Sequence, residues 1–374
     1  MTLLDLITIA VIVFVLFNGV LTVVLGVIWA ERKALARLQQ RVGPSRTGPS
    51  GILQTAADAV KLMLKEDVRP GSVNRLIFYL APLLIFTPIF MLWMVLPFSS
   101  GLILSDLDIG LFYVVAILGL SVVGHVLAGW ASNNKYALLG SARNAAQLIS
   151  YELPLVFAVL AVGLLAQTAT DRPFSLAGIV EAQGGVPYLL IMPLGFALFL
   201  VGALAETARI PFDIPHAEEE IVGGAFVEYS GIRWGVFFLT EYAGLATMAF
   251  LAAILFLGGW NGPFSDQFPP LQPLYLILKI SAIILLVFWI RAPLPRLRID
   301  QLMAFAWKLA IPASLVNLVV VATVVYAQQR NDWELWLAGG IISVVSIALA
   351  VVTGFIIQRR REQRLNQFRQ RWAQ

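Results

Sequence analysis

Residues 4–30 read LDLITIAVIVFVLFNGVLTVVLGVIWA, and Glu31-Arg32-Lys33 follow at once. Asp5 is the one ionisable group in that run. A helix rises about 1.5 Å per residue, so the run is long enough to cross a hydrocarbon core roughly 30 Å thick. It has no positive stretch in front of it and is too long for the apolar core of a signal peptide. Its positive cluster comes only after the apolar residues, so it reads as a first membrane span rather than a leader. Moving outward from it, eight more apolar runs appear. The nine candidate spans are 4–30, 76–97, 109–130, 141–168, 187–206, 233–258, 273–291, 306–327 and 335–357. Backbone groups in lipid must be satisfied within their own segment, so such runs form helices. The expected fold is an all-α polytopic integral membrane protein with about nine transmembrane helices, none of them broken at mid-membrane.

Lysine and arginine fix the expected orientation. Loops after odd-numbered spans hold nine in 31–75, then Lys135, Arg143, Arg209, Arg233, Arg291, Arg296, Arg298 and Lys308, and six in the tail. The opposite loops hold Arg172 and Arg330, and Lys279 falls inside a span. Positive residues accumulate on the inner side. The N-terminus is therefore expected outside and the C-terminus inside, as an odd number of spans requires. The net charge of +4 is mostly inner-face lysine and arginine, which points away from nucleic acid.

Residues 1–330 read as one membrane domain of about eight spans, and 331–374 as an additional transmembrane helix with a basic inner-face tail. In the longest inner loop, Ile52, Ala56, Ala59, Val60 and Met63 share one helical face, with Gln54, Asp58, Lys61 and Lys65 on the other. That pattern predicts an amphipathic helix lying along the inner surface or roofing a cavity there. No internal repeat is found, which argues against the plan common among secondary transporters.

The chain has no cysteine and two histidines. Thiolate ligation of an iron–sulfur cluster, a disulfide and a cysteine-based zinc site are all excluded, and no metal site is expected. Glycine-rich nucleotide motifs do not occur. Any electron carriers must sit on partners.

Charge is scarce, at 13% of residues, yet Glu206–Tyr229 reads ETARIPFDIPHAEEEIVGGAFVEY. Further ionisable groups fall inside spans. By the helical rise, Glu206 sits at the inner boundary, Glu241 roughly 12 Å deep, Glu152 roughly 15 Å and Lys279 roughly 18 Å. His125 lies about one and a half turns from the inner end of its span. A charge at mid-membrane is costly unless paired, hydrated or protonated, and a row of such groups is the usual anatomy of a proton relay. The bland alternative is a Glu–Lys lock between helices, Lys279 with Glu152 or Glu241; His125 reads equally as a neutral core histidine. The acidic loop reads either as the lining of a site for an amphiphilic, proton-accepting ligand or as a solvated rim.

Four long stretches, in order, carry a resemblance: 31–67 (ERKALARLQQRVGPSRTGPSGILQTAADAVKLMLKED), 129–152 (GWASNNKYALLGSARNAAQLISYE), 206–231 (ETARIPFDIPHAEEEIVGGAFVEYSG) and 290–303 (IRAPLPRLRIDQLM). Over about residues 5–327 the chain resembles the H subunit of NADH:quinone oxidoreductase, respiratory complex I. The resemblance implies a protein that joins the membrane and peripheral arms in a bacterial-type cell inner membrane. It would form the quinone entrance and chamber wall and couple quinone reduction to proton translocation. By position, Glu31, Arg32, Asp213, Glu218, Glu220, Glu228, Arg291, Arg296 and Arg298 fall at the chamber, and Glu152, Glu206 and Glu241 on the buried proton path. Quinone would be the substrate, with no cofactor bound by this chain and FMN and iron–sulfur clusters on partner subunits. A related ferredoxin-linked or hydrogenase-type membrane complex is the alternative setting. Two departures stand out. His216 replaces the first acid after the PFD-I-P run, and Gly119 stands where some members carry an acid. Residues beyond 330 extend past the usual family length.

Overall fold

The computed structural model describes residues 3–215, 218–265, 267–331, 339–349, 351–352 and 359. Among them the chain is helical, with seven helices long and apolar enough to cross a membrane. These are α1 (Leu3–Leu38), α3 (Arg75–Trp93), α4 (Gly110–Ala131), α5 (Lys135–Ala166), α10 (Gly231–Phe256), α11 (Leu271–Arg291) and one rod near the C-terminal end. The rod joins α12 (Ile299–Phe305) to α13 (Ile311–Asn331) through a wide helical turn at Ala306–Ala310. Shorter helices complete the order: α2 (Gln54–Leu64), α6 (Leu176–Ala182), α7 (Tyr188–Ile191), α8 (Pro193–Glu206) and α9 (Glu218–Ile221). A last apolar helix, α14, is described over Gly339–Leu349. The rest of the expected ninth span, and the tail arginines beyond Arg359, lie outside the described residues.

The fifth expected span, 187–206, is not continuous. Met192 adopts φ −132° and ψ 63°, between α7 and α8. Pro193 has no N–H to extend α7, and its ring disfavours a helical conformation at residue 192. Proline is well tolerated as the first residue of a helix, so α8 starts there and runs its fourteen residues to Glu206. The break falls near the end of the span remote from Glu206, not at its middle, so the span is shortened rather than broken at mid-membrane.

Helix α10 is the axis of the bundle. Its most apolar window is 78% buried, against 28% for α1, α11 and the C-terminal rod, so the latter three face lipid or partners. Alanines at 243, 246, 249, 252 and 253 are all buried. Small side chains let helices approach closely where lipid provides no hydrophobic driving force.

Helix α2 takes the first of the two placements expected for it, lying on the surface rather than roofing a cavity with its apolar side. Its apolar edge is uncovered, with Val60 54% and Met63 66% exposed. Thr55 is buried on the other edge, and Asp58 pairs with Arg32 of α1 at 2.5 Å. Leu62 packs toward Gly235 of α10. The polar edge therefore holds α2 to the protein, leaving the apolar edge for the bilayer surface.

Candidate functional site

Four charged side chains from four parts of the chain meet where the C-terminal parts of α1 and α11 approach the first turns of α10. Glu31, near the end of α1, is 3% exposed, and Arg209, three residues past α8, is 4% exposed. Arg209 Nη1 donates to both Glu31 oxygens at 3.2 and 3.3 Å. Arg291, the last residue of α11, forms an ion pair with the same Glu31 carboxylate. Arg209 Nη2 lies 3.5 Å from Glu241 Oε1, and the guanidinium sits 4.1 Å above the Tyr242 ring. The order is Arg291, Glu31, Arg209, Glu241, alternating in sign and neutral in sum. Alternation matters because buried charges are tolerable only where neighbours replace the lost water. Burial pulls the Arg209 pKa down, but Glu241, Tyr242 and Asp213 outweigh it and hold it above its ordinary value. Arg209 thus stays a cation.

Glu241 also faces a small cavity of about 60 Å³ bounded by α3, α4, α5, α10 and the end of α8. Glu206 and His125 line the same cavity, among Ser121, Asn144, Thr207 and Thr240. Glu206 arrives there because α8 ends on it: Ala208 turns into the left-handed region at φ 47°, and the chain leaves the helix axis. Glu152 of α5 lies within electrostatic range of Glu206. It fits because residue 119 is glycine; a Cβ there would stand 2.7 Å from Glu152 Oε1.

The loop after α8 is pinned from several sides. Gln147 of α5 is 1% exposed and donates to Ala205 O at 2.7 Å and Phe212 O at 2.8 Å. Leu297 N donates to Pro211 O at 3.1 Å, bringing the 291–298 loop alongside. Further on, Glu220 pairs with Arg143 at 2.6 Å and Arg296 at 3.4 Å. Asn134 Nδ2 donates to Glu228 at 2.6 Å. Gly224, at φ +63°, lies flat on Gly140 of α5, where a Cβ on residue 140 would come within 2.5 Å of Gly224 Cα. Among the described residues no group of three or more His, Cys, Asp or Glu is arranged to hold a metal ion.

Residues 9–322 match a family model described as NADH dehydrogenase. The chain is 43% identical over 346 residues to the NADH-quinone oxidoreductase H subunit of Dehalococcoides mccartyi (strain CBDB1), covering 92% of each chain. It is 48% identical over 314 residues to the H subunit of Brevibacillus brevis, covering 82% of this chain and 91% of that one. An NADH-quinone oxidoreductase H subunit of Syntrophobacter fumaroxidans is 45% identical over 341 residues, covering 87% and 97%. The chain belongs to the H-subunit family of NADH-quinone oxidoreductases.

In this member of the family the residues singled out from sequence divide into three groups. Glu31, Arg291 and Glu241 join one network; Glu206, Glu152 and His125 gather with Glu241 at or beside the cavity. Glu220 and Arg296 pair with each other and Glu228 accepts from Asn134 at the start of α5, while Arg32 is engaged with Asp58 and Arg298 is exposed just ahead of α12. Asp213 is half-buried near Arg209. The side chain of Glu218 and the whole of His216 lie outside the described residues. Lys279 belongs to none of these groups. Its Nζ donates to Gly259 O at 2.8 Å and Asn261 O at 2.7 Å, beyond the far end of α10. Neither a Glu–Lys lock nor membership of an inner-facing series fits that position: depth along a helix does not determine what a side chain reaches. Arg209 and Asn144 are site residues that sequence reasoning misses. Arg209 carries a signal, as the lone cation in an acidic stretch directly after Glu206, but counting positive charge uses it only for orientation.

Proposed function

We propose that this chain lines the quinone chamber of a proton-pumping NADH:quinone oxidoreductase and carries the electrostatic effect of quinone reduction to buried acids. The observation that supports this most is Arg209, shared between Glu31 on one side and Glu241 on the other. Quinone reduction to quinol takes two electrons and two protons. Negative charge arriving near Arg291 and Glu31 draws on the cations there, and Arg209 then neutralises Glu241 less. A carboxylate that loses its cation in a low-dielectric site takes up a proton. Glu241 opens on the cavity that holds Glu206, with Glu152 behind it, so the proton it takes up has a source within one small cavity. The rim pairs of Glu220 and Glu228 hold the loop against α5 and fix where Asp213 and Arg209 enter.

In this reading quinone is the substrate, FMN and iron–sulfur clusters reside on partner subunits, and the membrane is a bacterial-type inner membrane. The other membrane-arm and peripheral-arm subunits dock on it, the latter at the inner face. Replacement of Glu241 or Glu152 by glutamine in the assembled complex tests it. Lower quinone-linked turnover or a lower proton-to-electron ratio is expected, with electron input to a water-soluble acceptor retained. Both variants matching wild type in rate and ratio would reject the reading.

A further inference from the structure

Two cavity residues have no part yet in this scheme: His125 and Asn144. His125 Nδ1 lies 2.9 Å from the carbonyl oxygen of Ser121, one turn earlier in α4. A carbonyl only accepts, so the hydrogen of that contact sits on Nδ1. The ring is thereby held in one tautomer and one orientation, and Nε2 is the atom that gains or gives off the exchangeable proton. Phe226 flanks the ring, with centroids 6.0 Å apart. Asn144, across the cavity on α5, is 2% exposed, and its Oδ1 is buried with no hydrogen-bond donor among the described residues. An acceptor removed from bulk water is costly unless a donor reaches it. The cavity that both residues line has room for a water, and a water needs several polar partners to be held. Ser121, Thr207 and Thr240 supply further hydroxyls on its walls.

We propose that His125 is a proton-carrying group of this cavity, exchanging at Nε2, and that Asn144 anchors the water linking its ring to the cavity carboxyls. The step balances without any further reagent. A protonated Glu206 gives its proton to the anchored water while that water passes one of its own to Nε2, leaving a carboxylate and an imidazolium. The imidazolium then returns the proton through water to the Glu241 carboxylate and is neutral again. Among the described residues, the charged groups on this cavity are Glu206 from the end of α8 and Glu241 from α10, with Arg209 behind Glu241 and Glu152 behind Glu206. Helix α3 lines the cavity with Ile85, Pro88, Ile89 and Leu92, none of which titrates.

This rests on the proton-coupling reading above, and the variants separate the two. His125→Asn keeps an amide N–H for the Ser121 carbonyl and removes the Nε2 site; Asn144→Ala removes the water anchor and leaves His125 intact. Quinone-linked turnover and proton-to-electron ratio are measured against pH in proteoliposomes of the assembled complex. His125→Asn should slow turnover by about a hundred-fold, the low end of what positioned acid–base groups contribute, and remove one ionisation from the pH profile. Asn144→Ala should slow turnover less and keep that ionisation. Wild-type rate and pH profile in both variants, with Glu206→Gln and Glu241→Gln still impaired, overturn the role of His125 alone. If the glutamine variants are silent as well, the coupling reading itself has failed. Should His125→Asn not assemble, the Asn144→Ala turnover decides: an unchanged rate counts against the proposal and a lowered one for it.

Discussion

Arg209 is the residue on which most of this scheme turns, and its surroundings make its replacement informative. Methionine fills comparable volume but removes the Arg209 charge from Glu241 and leaves Arg291 beside Glu31. Removing one partner of a buried pair costs about 3–5 kcal/mol, so Arg209→Met should reduce the amount of assembled complex, read by native gel. Where assembly survives, quinone-linked turnover should fall further than input to a soluble acceptor. Arg209→Lys keeps the charge but not the fork that touches two carboxylates, and should lie between. Equal assembly and turnover in all three forms would mean the network is decorative. At this scale the sequence is readable in part. Glu152, Glu206, Glu241 and His125 stand out because ionisable groups are rare in apolar runs. Lys279 stands out for the same reason and leads elsewhere, since its partners are carbonyls of the loop after α10, which spacing along α11 does not reveal.

At the scale of elements, two glycines decide how α5 meets its neighbours. Gly119→Ala would place a methyl 2.7 Å from the Glu152 carboxylate, a mobile group that can swing aside. Its fold should be kept, and its effect should appear in turnover, moving in the same direction as Glu152→Gln. Gly140→Ala meets the backbone of Gly224 at 2.5 Å, which has nowhere to go without lifting the loop off α5. Overpacking of this kind costs about 1–3 kcal/mol. Gly140→Ala should therefore loosen the loop that carries Glu220 and Glu228, detected as faster protease cleavage between α8 and α10. Unchanged cleavage would place the loop's anchorage elsewhere. The long helices are legible because uninterrupted apolar runs have one solution in lipid. The break before Pro193 is visible as a residue but not as a break, because proline inside a span can either kink a helix or begin one: Pro154 lies within the continuous α5. The placement of α2 stays open in the sequence for a related reason. Periodicity divides the helix into two faces without saying which of them the rest of the protein claims.

At the scale of the whole molecule, the mechanism depends on which membrane face carries the network. Because the chain has no cysteine, single introduced cysteines report orientation without background. Gly71 and Leu294 should label from the inner side, and Gly101 and Gly185 from the outer side, with an impermeant reagent. The reverse pattern would put Arg291 and Glu31 on the wrong face for an inner quinone chamber. The central claim, that charge on the Glu31 side is felt at Glu241, has a more direct test. Infrared difference spectra of the assembled complex, recorded between oxidised and quinone-reduced states, follow carboxyl protonation itself. A protonated-carboxyl band should appear on reduction, vanish in Glu241→Gln, and weaken in Arg209→Lys. A band of full size in Glu241→Gln, or none in the wild type, would contradict the claim.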